Sequence, residues 1–356
     1  MTEERYCKML EITQQTKNYI NNFFSSEEFE TPVCKEEVWD FYQKRYKKSL
    51  WLRPYLTASF YEHFAKESFR GIIPSIAASE AFNISTYQSN IVFDNKISPH
   101  QINLNDMNQF IASYLSYNMA NKMVLKINAD TEVKVKLLGL LNECNAKIYK
   151  GQSLDLNMLI CDNIGWLLDE ENMFFDLYDK RCELIAGASV EYCALSPVIL
   201  LKMDDDKDLT NYLYQLSKQW GSIMQIINDL SDYVFINNTK ERYFDIRADK
   251  LTLPLFLIMK EIGLSKTEDF ITSFKSKDDK LLEEFFMTYL YKDSPIVKEI
   301  FSLLKNKWEL CREYINRLGL SKEFSQGLFE SAFLNKYSRK LFSNALIKQL
   351  KAKYNG

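Results

Sequence analysis

Glycine and proline are scarce, 10 and 7 in 356 residues. So thin a supply of turn and breaker residues excludes collagen-like, linker-rich and turn-dense all-β chains. Histidine is rarer still, with only His63 and His100. A multi-histidine metal centre is thereby excluded, and a Ser-His-Asp triad has few bases to choose from. His63 reads as an ordinary helical residue and His100 as a loop residue. No uninterrupted apolar run approaches the ~18 residues that a membrane span needs. The charged start Met1-Thr2-Glu3-Glu4-Arg5 has no apolar signal core behind it. Cysteines at 7, 34, 144, 161, 182, 193 and 311 form no C-x-x-C pair. Scattered thiols in odd number point to a reducing compartment without a disulfide framework, hence to a cytoplasmic protein. Neither sign of charge dominates: 45 Lys plus Arg against 48 Asp plus Glu leave a net charge of −3. There is no basic footprint for nucleic acid.

What is present is a balanced, aromatic-rich composition: 46% hydrophobic, 26% charged, 14% aromatic, with 24 Phe and 21 Tyr. Such a chain can bury a core, and wholesale disorder is excluded. Apolar residues recur at helical spacing almost throughout, as in 209–235 and 296–318, while strand-like alternation is scarce. The pattern predicts an all-α, single-domain helical bundle over 1–356, with its core at about 40–340. The tail after Lys336 is basic, with its C-terminal part at about 341–356, and is expected to fray.

One stretch concentrates chemistry. In Gly221-Ser222-Ile223-Met224-Gln225-Ile226-Ile227-Asn228-Asp229-Leu230-Ser231-Asp232, a helix places Gly221, Gln225, Asn228, Asp229 and Asp232 on one side. Acidic and amide groups thus end a helix that is otherwise apolar. Buried carboxylates need partners or a metal, and oxygen ligands one turn apart suit Mg²⁺ rather than zinc. A helix end turning out to solvent reads equally well. Further on comes Asp245-Ile246-Arg247-Ala248-Asp249-Lys250-Leu251-Thr252-Leu253-Pro254. A lysine ahead of an apolar helix can reach an anion held by a metal. Alone, it reads as a capped helix start.

Together the two segments resemble the all-trans isoprenyl diphosphate synthases, the polyprenyl synthetases. That family's second acidic motif, G-x-x-F-Q-x-x-D-D-x-x-D, becomes G-S-I-M-Q-I-I-N-D-L-S-D here, and D-x-x-x-x-K-x-T-L-P is intact. Gly151-Gln152-Ser153-Leu154-Asp155 is similar to G-Q-x-x-D. Lys180-Arg181-Cys182-Glu183-Leu184 is similar to K-T-x-x-L with Arg for Thr, and Arg53-Pro54-Tyr55-Leu56 to R-P-x-L. The resemblance implies the class I isoprenoid synthase bundle around a prenyl cavity. Three Mg²⁺ ions would be held together with a diphosphate between two acidic helices. The implied metal ligands are Asp94, Asn95 and Ser98 from the first motif, and Asn228, Asp229 and Asp232 from the second. Arg53, Lys180, Arg181 and Lys250 are implied for diphosphate, with Lys180, Gln225, Asp229 and Lys250 as catalytic groups. Ser89, Asn90, Phe93, Gln152 and Met224 would line the prenyl pocket. Small residues at 89 and 90 imply room for about fifteen carbons or more. A homodimer is also implied.

Two departures bear on function. The first D-D-x-x-D has become Asp94-Asn95-x-x-Ser98, so metal affinity without diphosphate should be weaker. The isopentenyl diphosphate clamp is eroded: Leu50 and Trp51 stand where the family has Lys and Arg, and an Arg pair aligns with Asn103 and Leu104. Asn228 is similar to the Asn that opens the metal motif of terpene cyclases. These features favour ionisation of one prenyl diphosphate, followed by cyclisation or transfer to another acceptor. Chain elongation with isopentenyl diphosphate is the alternative, and a catalytically silent partner subunit a third reading. A literal D-D-x-x-D at Asp204-Asp205-Asp206-Lys207-Asp208 lacks an amphipathic lead-in and reads as a solvated helix start.

Overall fold

The computed structural model describes residues 3–26, 38–39, 42–43, 51–94, 104–234, 243–263 and 279–351. Among them there is no β-strand. Helix follows helix, as the periodicity predicts, with one antiparallel bridge between Leu159 and Lys250. In chain order these are α1 (Glu3–Ser25), α2 (Leu52–Ala65), α3 (Ile73–Asp94), α4 (Leu104–Leu125), α5 (Thr131–Asn157), α6 (Ile160–Asp169) and α7 (Glu171–Cys182). A π-helical turn, Glu183–Gly187, then leads into α8 (Ala188–Leu200). After it come α9 (Lys207–Tyr233), α10 (Phe244–Arg247), α11 (Leu253–Ile262), α12 (Asp279–Tyr289), α13 (Pro295–Arg317), α14 (Lys322–Phe333), α15 (Lys336–Leu341) and α16 (Asn344–Lys351).

The chain falls into two compact units, one of 1–148, 188–217 and 318–324, the other of 149–187, 218–317 and 325–356. In the first, α3 lies along α4, and alanines 77, 78 and 81 of α3 are wholly buried. The Ser113 hydroxyl donates to the Ser85 carbonyl at 2.7 Å and the Ser116 hydroxyl to Gln88 Oε1 at 2.7 Å. Short side chains let the helix backbones approach, and the hydroxyls satisfy polar groups caught in the seam. His63 lies on α2, as expected, and its ring Nε2 meets the Leu318 carbonyl at 3.2 Å.

In the second unit aromatic rings supply much of the core. Phe174 stacks on Phe256 at 3.7 Å between centroids, Tyr243 on Phe286 at 5.4 Å, and Trp308 meets Phe333 edge-on. Here the expected fraying of the basic tail is corrected. Leu341, Phe342, Ile347 and Leu350 are buried, and Phe342 packs against Phe301. Lys348 sits on the outward side of α16, whose other side carries Ile347 and Leu350.

Asp206 settles the reading of the acidic run at 204–208. Its Oδ1 accepts the backbone N–H groups of Asp208 and Leu209, at 3.1 and 3.0 Å, and so caps α9. One continuous helical stretch, Glu171–Leu200, is long and apolar enough by composition to cross a membrane. Its window is 67% buried inside the protein, however, as core helices are.

Candidate active site

Several candidate side chains of the second unit converge on Arg181. It stands in the last turn of α7, immediately before the π turn, and is 3% exposed. Its Nε lies 2.6 Å from Asp155 Oδ1. Its Nη1 and Nη2 donate to Asp229 Oδ2 and Oδ1 at 3.1 and 3.4 Å, a forked pairing. Asp229, 1% exposed, also accepts the Tyr178 hydroxyl at 2.7 Å and Gln225 Nε2 at 2.8 Å. The second oxygen of Asp155 faces Lys250 Nζ at 2.8 Å. Two buried carboxylates are thus matched by two buried cations, the condition under which buried charge is tolerated.

Glycines explain how the π turn comes so close to α9 and to α5. A Cβ at Gly221 would lie 2.5 Å from both the Cα and the N of Gly187, and one at Gly151 would lie 2.6 Å from Ile185 Cγ1. Only glycine permits that approach. The π turn inserts a residue into the helical register, as such turns do at functional sites. Lys250 is fixed by its backbone. Its N–H donates to the Asp245 carbonyl at 2.9 Å, just after Asp249 turns the chain through a left-handed conformation (φ 59°). The Asp249 carbonyl accepts the Ile160 N–H at 2.9 Å. The motif threonine, Thr252, hydrogen-bonds the Tyr233 hydroxyl at 2.8 Å, and Pro254 occupies the first turn of α11, where its missing N–H costs nothing.

Electrostatics follow from this packing. Burial works against the Arg181 charge, but Asp155 and then Asp229 hold it well above the ordinary range. Burial, then the Asp229 charge, pushes the Tyr178 hydroxyl up, so it remains a donor. Asp245 is pushed up to about 8, by burial first and by Asp229 and Asp232 next, against the pull of Lys250 and Arg181. Its backbone N–H donates to Asp232 Oδ2 at 3.1 Å.

The structure therefore brings Gln225, Asp229, Arg181 and Lys250 together and adds Asp232 through Asp245. Of the residues expected at the diphosphate, Arg181 pairs with Asp155 and Asp229, and Lys250 with Asp155. Lys180 points elsewhere, to Glu183 Oε1 at 2.8 Å, and is half-exposed. Glu183 Oε2 meets Lys218 Nζ at 2.8 Å. Lys218, Tyr178 and Asp155 were not among the expected site residues. Lys218 had a signal, standing two helical turns before Gln225 on the same face. Gln152 is buried and Met224 half-buried.

In the first unit, half-buried Arg53 donates from Nε to Ser189 Oγ at 3.0 Å. Trp51 is fully buried in the core. Ser89 turns its hydroxyl to the Thr86 carbonyl at 3.0 Å. Asn90 keeps a buried Oδ1 with no hydrogen-bond partner among the described residues, and Phe93 is half-buried. Asn95, Ser98, Asn103, Leu50 and His100 lie outside the described residues, as does the side chain of Asp94 at the end of α3.

A hard divalent cation fits this donor set in part. Asn228 is exposed at the end of α9 and Asp232 follows one turn later, whereas both Asp229 oxygens already accept protein donors. Among the described residues no group of three or more His, Cys, Asp or Glu is placed to hold a metal.

Comparison with known proteins gives three results. Against curated protein sequences there is no match. Solved structures match over almost the whole chain. A decaprenyl diphosphate synthase from Rhodobacter capsulatus has a TM-score of 0.69 at 16% identity, covering 96% of this chain and 97% of that one. A geranylgeranyl pyrophosphate synthetase from Pyrococcus horikoshii Ot3 scores 0.70 at 16% identity, covering 95% and 98%. A geranylgeranyl pyrophosphate synthase from Corynebacterium glutamicum, complexed with isoprenyl diphosphate and magnesium, scores 0.71 at 12% identity, covering 92% and 98%. At such identities the likeness establishes the fold. The family model for polyprenyl synthetases matches residues 100–287, more than half of the sequence and the segment that carries both motifs of α9 and α10, and the chain belongs to that family.

Proposed function

We propose that this chain is a prenyltransferase that extends an allylic prenyl diphosphate by condensation with isopentenyl diphosphate. Family membership and the diphosphate synthases among its structural relatives support elongation over cyclisation, reversing the order in which the motifs alone rank them. The observation that carries the reading is the intact segment from Asp245 to Pro254. It seats Lys250 against Asp155 and Asp245 against Asp232, beside the helix that bears Asn228. Bound Mg²⁺, expected as three ions entering with the diphosphate, would neutralise the leaving group as a Lewis acid. Asn228 and Asp232 of the second motif, with Asp94, Asn95 and Ser98 of the first, are its proposed ligands. Lys180 and Lys218, both tethered to Glu183, are the cations proposed to turn to the diphosphate oxygens. Gln225 orients Asp229. Ser89, Asn90, Phe93, Gln152 and Met224 are proposed to border the chain-length pocket, with substrates of about fifteen carbons or more. The protein is proposed to be cytoplasmic and homodimeric.

One observation favours a second reading, ionisation followed by cyclisation or transfer to another acceptor. Trp51, where the family carries a cation for isopentenyl diphosphate, is a core residue that no side-chain rotation turns into a clamp. Incubation with prenyl diphosphates of ten, fifteen and twenty carbons, with and without isopentenyl diphosphate, separates these outcomes by mass spectrometry. Longer products that require isopentenyl diphosphate establish elongation. Cyclised or transferred products formed without it establish the second reading. Product formation only when an active homologue is added marks a partner subunit.

A further inference from the structure

We propose that the Arg181 guanidinium, standing where the family pattern has threonine, is a built-in counter-cation that withholds Asp229 from divalent ions and leaves Asn228 and Asp232 as the ligands of that helix face. This rests on the reading above, in which the end of α9 faces a divalent cation.

The geometry is specific. A carboxylate can bridge a metal only through lone pairs that no donor occupies. At Asp229, Oδ1 accepts Gln225 Nε2 and Arg181 Nη2, and Oδ2 accepts the Tyr178 hydroxyl and Arg181 Nη1. The residue is 1% exposed and the guanidinium 3%, so neither exchanges partners cheaply with water. Arg181 is held from its other side by Asp155, which Lys250 holds in turn. The whole chain of contacts would have to loosen before Asp229 could turn to a metal. Asn228, by contrast, is exposed, and it is the position at which the second motif has lost a carboxylate. Charge points the same way. A metal brings positive charge to a face that needs negative charge, and here a fixed positive charge stands beside the face while position 228 carries an amide in place of the family's carboxylate. Arg181 is a positioning residue in this account. It acts through Asp229 and touches no reacting atom.

The test is direct binding of Mn²⁺ to the full chain, read by the electron paramagnetic resonance of the free ion, with and without inorganic pyrophosphate. Melting temperature in EDTA and in Mg²⁺ is the second readout. Arg181→Thr frees Asp229 and should bind Mn²⁺ at least about tenfold more tightly than wild type, the scale on which supporting residues tune metal sites. It should also melt lower than wild type in EDTA and recover in Mg²⁺, because the ion replaces the missing cation. A merely structural role predicts weaker binding instead. In Arg181→Thr/Asp229→Asn the gain should vanish. No gain in the single variant, or a gain that survives in the double, overturns the inference. If Arg181→Thr does not fold, Tyr178→Phe removes one donor from Oδ2 and should shift affinity in the same direction, and no shift overturns the inference. Asp232→Asn and Asn228→Ala in the wild-type background test the reading underneath. If both leave Mn²⁺ binding unchanged, the face holds no cation and both claims fall. If they weaken it while Arg181→Thr changes nothing, only the counter-cation is lost.

Discussion

Asp245 shows how one residue of a motif acquires a property its letter does not carry. Nothing in D-x-x-x-x-K-x-T-L-P distinguishes this aspartate from a solvated one. In the folded protein its carboxyl is pushed up to about 8 from an ordinary 3.8, because burial and the charges of Asp229 and Asp232 outweigh Lys250 and Arg181. The folded state then holds a proton that the unfolded chain gives up, so stability from this group is fully present below the ordinary value. It is lost as pH rises through about 8. Asp245→Asn keeps the neutral form at every pH and leaves the backbone N–H to Asp232 in place. Relative to wild type the variant should therefore gain in melting temperature as pH rises from 5 to 9, by more than about 2 °C over the range in EDTA. A difference that stays flat with pH in calorimetric scans would show that Asp245 is ionised in the fold. Arg181 is the counterpart. Its letter was legible as a departure from the family's threonine, yet its inward direction was not, since the π turn that follows breaks the helical period from which facing is read.

Between elements, the glycines were visible as motif letters and their cause was not. Gly221 opens the second acidic motif because α9 meets the π turn there backbone to backbone. Adding a methyl forces one of two main chains to move. Gly221→Ala should cost about 1–3 kcal/mol in urea unfolding, the range of overpacked sites. At Gly165 on α6 a methyl would meet no packing neighbour within 4 Å, so Gly165→Ala should be neutral or stabilise by up to about 1 kcal/mol through helix propensity. Equal effects at the two positions would remove the close-approach argument. The tail fails as a sequence reading for a different reason. Its lysines and arginine advertise a solvated end, while Leu341, Phe342, Ile347 and Leu350 are buried and Phe342 packs against Phe301. Ending the chain after Lys340 removes all four side chains and should lower the melting temperature by several degrees, since each buried side chain of this size contributes about 1.5–3 kcal/mol. An unchanged melting curve would mean that the tail does dock loosely after all.

For the whole molecule, fold class and family were legible because several motif letters have a structural task in this fold. Lys250 reaches Asp155, Thr252 meets Tyr233 and Pro254 starts a helix, and these letters stand in the sequence although overall identity with a solved relative is 16%. Assembly leaves no such signature, because an interface is marked by composition and shape, with aromatic residues and Met enriched at its core, rather than by a fixed order of letters. The structure supplies such residues on α4, where Met107, Phe110, Ile111 and Tyr114 recur at helical spacing and are 41–62% exposed. Tyr87, on the helix packed alongside, is 46% exposed. A contiguous apolar stripe of this kind on one surface is what a self-complementary interface requires, the same patch serving both copies. If the protein is the homodimer proposed here, Phe110→Lys/Tyr114→Lys places charge at the centre of the contact. Sedimentation velocity at micromolar concentration should then report a monomer with unchanged helical circular dichroism. A wild-type protein that sediments as a monomer, or a double variant that remains dimeric, would remove α4 as the interface.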